Sequence, residues 1–229
     1  MQENIWENEY KNPKLISLSD KPIKAIKDFI RLLRNKQKIE LSNLNILDLG
    51  CGNAKNSIYI AEQGYNNNII GIDISETALK YAIENIKEKN IKAQFIKQSI
   101  GHSFPFSDSN FDIILDITSS NSLTENDRKI YLNEISRTIK TAGFLFIRAL
   151  CKDGDINAKN LLKSNPGNEK DTYIMPKLKL IERVFSKEDF LANYSNDFEL
   201  LHLEKEMHYT RFENKPYKRN FWIGIWKKK

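Results

Sequence analysis

The run Asn45-Ile46-Leu47-Asp48-Leu49 ends in Gly50-Cys51-Gly52, and no other feature constrains the chain as tightly. Five residues are too few for a helix. Their branched, apolar character is that of a strand buried on both faces. The glycines that follow let the backbone turn sharply and approach a ligand with no Cβ in the way. A second such run, 68–72, is closed by Asp73. Between the two, 57–63 reads as a helix stopped by Gly64. Beyond Asp73, Ser75 caps a helix through Ile86, with Ala78, Leu79, Ala82, Ile83 and Ile86 on one face. Residues 92–97, 111–117 and 144–150 read as further strands, with a helix over 126–139 stopping at Gly143. Strands alternating with helices at this spacing imply βαβ units and a parallel sheet.

The flanks read differently. Residues 1–40 divide into a polar arm and a helix, started by Ser19, Asp20 and Pro22, with Ile23, Ile26, Phe29, Ile30 and Leu33 at helical spacing. The remainder, 41–229, forms the main domain, and 151–183, poor in apolar positions, reads as an inserted loop or cap. Ser186 opens a short helix through Tyr194. The final runs, 198–205 and 220–226, have no helix between them and so predict an antiparallel hairpin at the sheet edge.

With 229 residues, 40% of them hydrophobic, the chain can bury a substantial core, which excludes wholesale disorder. No stretch approaches the roughly 18 apolar residues of a membrane span. The acidic, polar start is unlike a secretion signal, so a cytoplasmic protein is expected. Two cysteines and three histidines, without ligand spacing, predict no metal site. The net charge of +6 is mostly lysine spread along the chain, with one basic run, Trp226-Lys227-Lys228-Lys229. That pattern does not favour nucleic acid as the partner.

A glycine turn at the end of a parallel strand serves two ligand classes. A dinucleotide needs a third glycine where Lys55 stands, so that a pyrophosphate can reach the following helix. Asp48 would repel a pyrophosphate but attract a cationic cofactor with an amino group and a sulfonium. Asp73 is placed to accept hydrogen bonds from a ribose diol. The combination favours S-adenosyl-L-methionine over NAD or FAD.

From Ile46 to Ile147 the sequence resembles the class I S-adenosylmethionine-dependent methyltransferases. The resemblance rests on Ile46-Leu47-Asp48-Leu49-Gly50-Cys51-Gly52, on Gly71-Ile72-Asp73-Ile74-Ser75, and on Gln98-Ser99-Ile100 followed by the 104–112 segment. It implies an α/β, Rossmann-like sheet of seven strands, mostly parallel, with an antiparallel C-terminal hairpin and helices on both faces. It also implies methyl transfer with S-adenosyl-L-homocysteine as the product. Asp48, Gly50, Cys51 and Gly52 would line the methionine part, Asp73 the ribose, and Ile74, Ser99 and Ile100 the adenine. Asp116, ending the fourth strand, would lie where cofactor and acceptor meet and is the first catalytic candidate. Ala54 stands where the family often has glycine, and would bring a methyl group near the methionine end.

The acceptor side is less defined. Asn121, Arg148, Tyr173 and Arg219 are candidate substrate-binding residues, and His208 a candidate general base. Other polar outliers are Asp171, Arg183, Tyr209, Arg211, Tyr217 and Trp222. Trp6 and Tyr10 would serve as a lid over the cofactor or as a hydrophobic anchor for the arm. The Asn/Asp-Pro-Pro-aromatic signature of nucleobase and glutamine amino-methyltransferases is replaced by Asp116-Ile117-Thr118-Ser119-Ser120-Asn121. A small-molecule acceptor, anionic if the arginines face it, is therefore expected. The alternatives are an RNA or protein methyltransferase using the basic surface, and a non-catalytic cofactor-binding protein.

Overall fold

The computed structural model describes residues 2–87, 89–212 and 215–229; for 210–212 and 215–216 it describes the backbone alone. Arg211, one of the polar outliers, therefore has no described side chain. Five parallel strands form the centre of the sheet: β1 (Asn45–Leu49), β2 (Asn68–Asp73), β3 (Lys92–Lys97), β4 (Phe111–Ile117) and β5 (Ile139–Leu150). A two-stranded cap ladder, β6 (Thr172–Ile174) with β7 (Ile181–Arg183), comes next in the chain. The hairpin of β8 (Phe198–Phe212) and β9 (Lys215–Lys228) completes the main sheet, in the order β3-β2-β1-β4-β5-β9-β8. This is the seven-stranded, mostly parallel arrangement expected, with β9 antiparallel to β5.

Strand alternation divides the apolar side chains between two layers. Ile46, Ile113, Leu115, Phe144, Phe146, Ile223 and Ile225 face the helices α2 (Lys24–Asn35), α3 (Lys55–Ala61) and α4 (Glu76–Ile86). Leu47, Leu49, Ile114, Leu145, Ile147, Trp222 and Trp226 face α5 (Glu125–Thr138) and α7 (Lys187–Ala192). Each buried Leu, Ile or Phe contributes about 1.5–3 kcal/mol, so both layers are needed to hold so long a sheet.

Several details differ from the sequence reading. The α2 helix begins after Ile23, with no side-chain cap from Ser19 or Asp20; the Ile23 amide is instead satisfied by Asn56 Oδ1 at 3.1 Å. Ile83 is exposed, because α4 buries only a narrow face of Ala78, Leu79 and Ala82. The 139–143 segment continues as strand β5 instead of ending a helix, since α5 stops at Thr138.

The polar arm is also a helix, α1 (Gln2–Lys11), held by two carboxylates. Glu7 accepts from Ser75 Oγ (2.7 Å), Thr77 N (3.1 Å) and Thr77 Oγ1 (2.6 Å) at the start of α4. Glu9 is buried and accepts the amides of Lys14 (2.7 Å), Leu15 and Ile16 (3.0 Å), folding the following loop back on the helix. Residues 151–183 fold as a cap: α6 (Ile156–Ser164), β6 and β7 enclose a small core of Leu150, Ala158, Tyr173, Met175, Leu180, Val184 and Phe221. Trp6 and Leu15 of the arm pack against that core.

Candidate functional site

Two cavities open at the carboxyl ends of β1, β2 and β4, where open α/β sheets bind ligands. The outer one, about 230 Å³, is lined by Asp73, Ile74, Gln98, Ser99 and Ile100. The inner one, about 400 Å³, is lined by Asp48, Cys51, Gly52, Asn53 and Lys55 on one side and by Arg148, Glu182, Glu206, His208, Arg219 and Phe221 on the other. Trp6, Tyr10, Ile16, Gly50, Ile117 and Thr118 line both.

The loop after β1 is built for close approach. Gly50 and Gly52 have φ of +69° and +56°, a region that side-chain-bearing residues rarely adopt. A Cβ on Gly52 would stand 2.5 Å from Tyr10 Oη, and one on Gly50 would strike Ser119 Oγ. Ala54 is also left-handed, at φ +58°, which explains why glycine suits this position and costs the alanine roughly 1–2 kcal/mol. Its methyl is fully buried in the α2–α3 layer and does not line either cavity, unlike the expectation that it would crowd the methionine end.

Asp73 Oδ2 accepts the Gly52 amide at 2.9 Å and Oδ1 the Ser75 amide at 2.8 Å, so one carboxylate fixes both loops and still faces the outer cavity. Burial pushes its pKa up to about 6 against the pull of the amides of Ser75, Gly52 and Ile74. Asp48 is buried deeper. Burial, opposed by Ser57 and reinforced by Asp73 and Asp116, raises it to about 7. Its Oδ2 atom is buried without a partner among the described residues. An orphaned carboxylate oxygen on a cavity wall asks for a cationic donor.

Asp116 takes a different place from the one the sequence suggested. Alternation along β4 sends Leu115 to the α2–α3 layer and turns Asp116 beneath α5, where it is fully buried and lines neither cavity. Its Oδ2 accepts Tyr131 Oη at 2.5 Å, and its Oδ1 the amides of Ser119 (3.0 Å) and Ser120 (3.3 Å). It thereby holds the turn in which Thr118, a β-branched residue, adopts φ +62°. Such strain persists only where the surroundings over-determine it. Asp116 is a positioning group beneath the shared wall.

The acceptor-side candidates separate likewise. Asn121 is buried and accepts the Leu150 amide at 3.0 Å, away from the cavities. Tyr173 lies behind the wall: its hydroxyl donates to Glu182 Oε2 at 3.0 Å and accepts from Arg219 Nη2. Arg219, itself on the wall, pairs with Glu182 at 2.8 Å. Arg148 lies flat on Phe221, 3.4 Å from the ring centroid, and donates from Nε to Glu206 Oε2 at 2.8 Å. Among the sequence-predicted catalytic residues, His208 reaches the inner cavity, at its exposed rim. Asp171 pairs with Lys152 at 2.6 Å, Arg183 with Glu125, and Trp222 is core, donating to the Phe185 carbonyl at 3.0 Å. Glu182, Glu206 and Phe221 were not singled out from the sequence. Glu206 had a signal, since it stands two residues before His208 on a strand and so shares its face.

A family profile described as a methyltransferase domain matches residues 40–215. The chain belongs to that methyltransferase family. An uncharacterised methyltransferase of Schizosaccharomyces pombe is 30% identical over 105 residues, covering 46% of this chain and 70% of its own length. A S-adenosylmethionine-dependent methyltransferase of Methanosarcina mazei superposes with a TM-score of 0.70 at 22% identity, covering 84% of this chain and 95% of the other. The 1,6-didemethyltoxoflavin-N1-methyltransferase of Burkholderia thailandensis, solved with that compound and S-adenosylhomocysteine bound, gives 0.69 at 12% identity, over 99% and 86% of the two chains. The protein is thus a class I methyltransferase with S-adenosylmethionine as its cofactor. The cavity fits that molecule: an unpartnered carboxylate and a second one beside it, on a loop whose two glycines let Ser119 and Tyr10 close against it. No group of metal-ligating side chains occurs among the described residues, and no described helix is long and apolar enough to cross a membrane.

Proposed function

We propose that this methyltransferase acts on a small molecule held in the inner cavity, beside a methyl donor whose adenosyl part occupies the outer one. The observation carrying this reading is the wall the two cavities share, roofed by Trp6 and Tyr10 of α1. A chamber of about 400 Å³ beneath a helix is of the size that takes small ligands. The Burkholderia neighbour, of the same fold, was solved with 1,6-didemethyltoxoflavin and S-adenosylhomocysteine bound. The polymer alternative relied on the basic tail and the insert as a docking surface, but the tail is engaged within the fold: Lys228 of β9 donates to Ser136 Oγ at 2.7 Å, and Lys229 to the Ser195 carbonyl at 2.7 Å.

S-adenosylmethionine supplies a methyl group already activated on a sulfonium, which leaves the protein to align reactants and exclude water. Asp48 would take the amino group, and Asp73 the ribose diol. Ile74, Ser99 and Ile100 would hold the adenine. Tyr10, its hydroxyl against Gly52, covers the junction where donor and acceptor meet. Burial and the neighbouring Asp73 push the Tyr10 phenol well above its usual range, so it stays neutral there. His208 is the group placed to take a proton at the rim, with Glu206 on the same strand face.

Incubation with methyl-labelled cofactor and a whole-cell extract, then separation into metabolite, RNA and protein fractions, tests this reading. Label in the metabolite fraction is expected. Label confined to RNA, with activity falling steeply as salt is added, would overturn it.

A further inference from the structure

The charged side chains of the inner cavity divide into those already paired and those not. Arg219 is satisfied by Glu182 and Tyr173. Arg148 spends only Nε on Glu206, and its Nη1 and Nη2 amines have no acceptor among the described residues. The Phe221 ring behind the guanidinium fixes its plane. Lys55 lines the same cavity, is half-buried, and forms no hydrogen bond or ion pair among the described residues. Burial lowers its basicity, Asp20 opposes this, and the Arg148 charge lowers it further. Glu206 answers the Arg148 charge from one side only, and Lys55 is half-buried with no partner among the described residues, so desolvation leaves donors on both that an anion would satisfy. A planar fork with two free amines and a single ammonium, lining one cavity, form the donor set that matches a carboxylate.

We propose that Lys55 and Arg148 together form a carboxylate-binding site in the inner cavity. The inference rests on the reading of that cavity as the meeting place of donor and acceptor. Two molecules could bring the carboxylate. The cofactor carries one on its methionine end, next to the amino group assigned to Asp48, and the acceptor could carry another. Either way Lys55 is a specificity-determining residue: it lets the site distinguish an acid from the same molecule without the acid.

The test measures binding of S-adenosylhomocysteine and of 5′-methylthioadenosine, which lacks the amino-carboxylate end, to wild type, Lys55→Gln and Lys55→Arg by calorimetry. With a cofactor carboxylate, Lys55→Gln weakens S-adenosylhomocysteine about tenfold or more, leaves methylthioadenosine unchanged, and Lys55→Arg restores most of the loss. With an acceptor carboxylate, neither adenosyl ligand changes, but benzoate raises the melting temperature of the wild-type S-adenosylhomocysteine complex, benzamide does not, and Lys55→Gln abolishes the difference. The proposal is overturned if both adenosyl ligands weaken in parallel, or if neither changes and benzoate behaves like benzamide. If the wild type binds no adenosyl ligand, the reading of the cavities fails instead, and benzoate against benzamide on the free protein still decides the carboxylate site.

Discussion

The outer and inner cavities meet at one wall but are built in opposite ways. The outer one is framed by backbone: the amides of Gly52 and Ser75 converge on Asp73, and beneath the shared wall the amides of Ser119 and Ser120 converge on Asp116. The Gly52 contact joins the ends of β1 and β2, and the other three are local to the turn after one strand, so the sheet and its turns place them. The far side of the inner cavity is framed by side chains. Arg148 reaches Glu206 across 58 positions, and Arg219 reaches Glu182 across 37. The difference explains how one fold can keep a donor and change acceptors. Amides stay in place whatever the side chains are, whereas an ion pair between cap and hairpin is replaced by two substitutions.

If that division is right, the largest effect belongs to a change that leaves the donor untouched. Arg219→Met strands Glu182 and the Tyr173 hydroxyl in the cap, and should cost about 3–5 kcal/mol of stability in denaturant unfolding. Affinity for S-adenosylhomocysteine should remain within about twofold of wild type, less than 0.5 kcal/mol; a larger loss would break the comparison. Asp73→Ala should do the reverse, weakening S-adenosylhomocysteine on the order of a hundredfold through two lost charge-assisted bonds, as calorimetry would show.

Asp48→Asn should weaken the same ligand by about tenfold, and this prediction carries a sign in pH. Burial holds Asp48 at about 7, so the folded protein binds a proton that the unfolded chain has released above its ordinary carboxylate value. Asp48 therefore lowers stability as pH rises through that window, while a cationic amino group requires its ionised form. Affinity should fall as pH drops below about 7, and binding at slightly acidic pH should release protons, read in buffers of different ionisation enthalpy. Asp48→Asn should abolish that release.

The smallest effect concerns the roof. Burial raises the Glu7 carboxyl, but its bonds from Thr77, Ser75 and Lys11 outweigh this and hold it at about 2. Its contribution is thus fully present above the ordinary carboxylate value and is lost progressively as pH falls from there through about 2. Glu7→Gln should speed release of S-adenosylhomocysteine a few-fold in stopped-flow competition, about 1 kcal/mol or less, with the sheet core unaffected. Release as slow as wild type would show that α1 is anchored elsewhere.

How much of this the sequence carried follows the same division. The strands β1 to β4, the two glycines, Asp48 and Asp73 were legible because each is a local signal: a short apolar run, a turn, a carboxylate at its end. Asp116 was misplaced because a strand-end position does not reveal which face a side chain takes; the apolar residues at 113, 115 and 117 held that information through alternation. The helix α1 was read as an arm since its anchors, Glu7 and Glu9, are polar and act on backbone that the sequence does not show as neighbouring. Tyr173, Glu182 and Arg219 could not be assembled beforehand, since nothing short-range brings the cap against the hairpin.

The shared wall has a last consequence, for timing. Because Trp6 and Tyr10 belong to both cavities, one displacement of α1 admits solvent to both together. A displacement that frees one ligand would then uncover the other, so release of product and release of spent cofactor are coupled through one helix. If that displacement limits turnover, solvent viscosity, which leaves the chemical step alone, should slow the enzyme at saturating reactants.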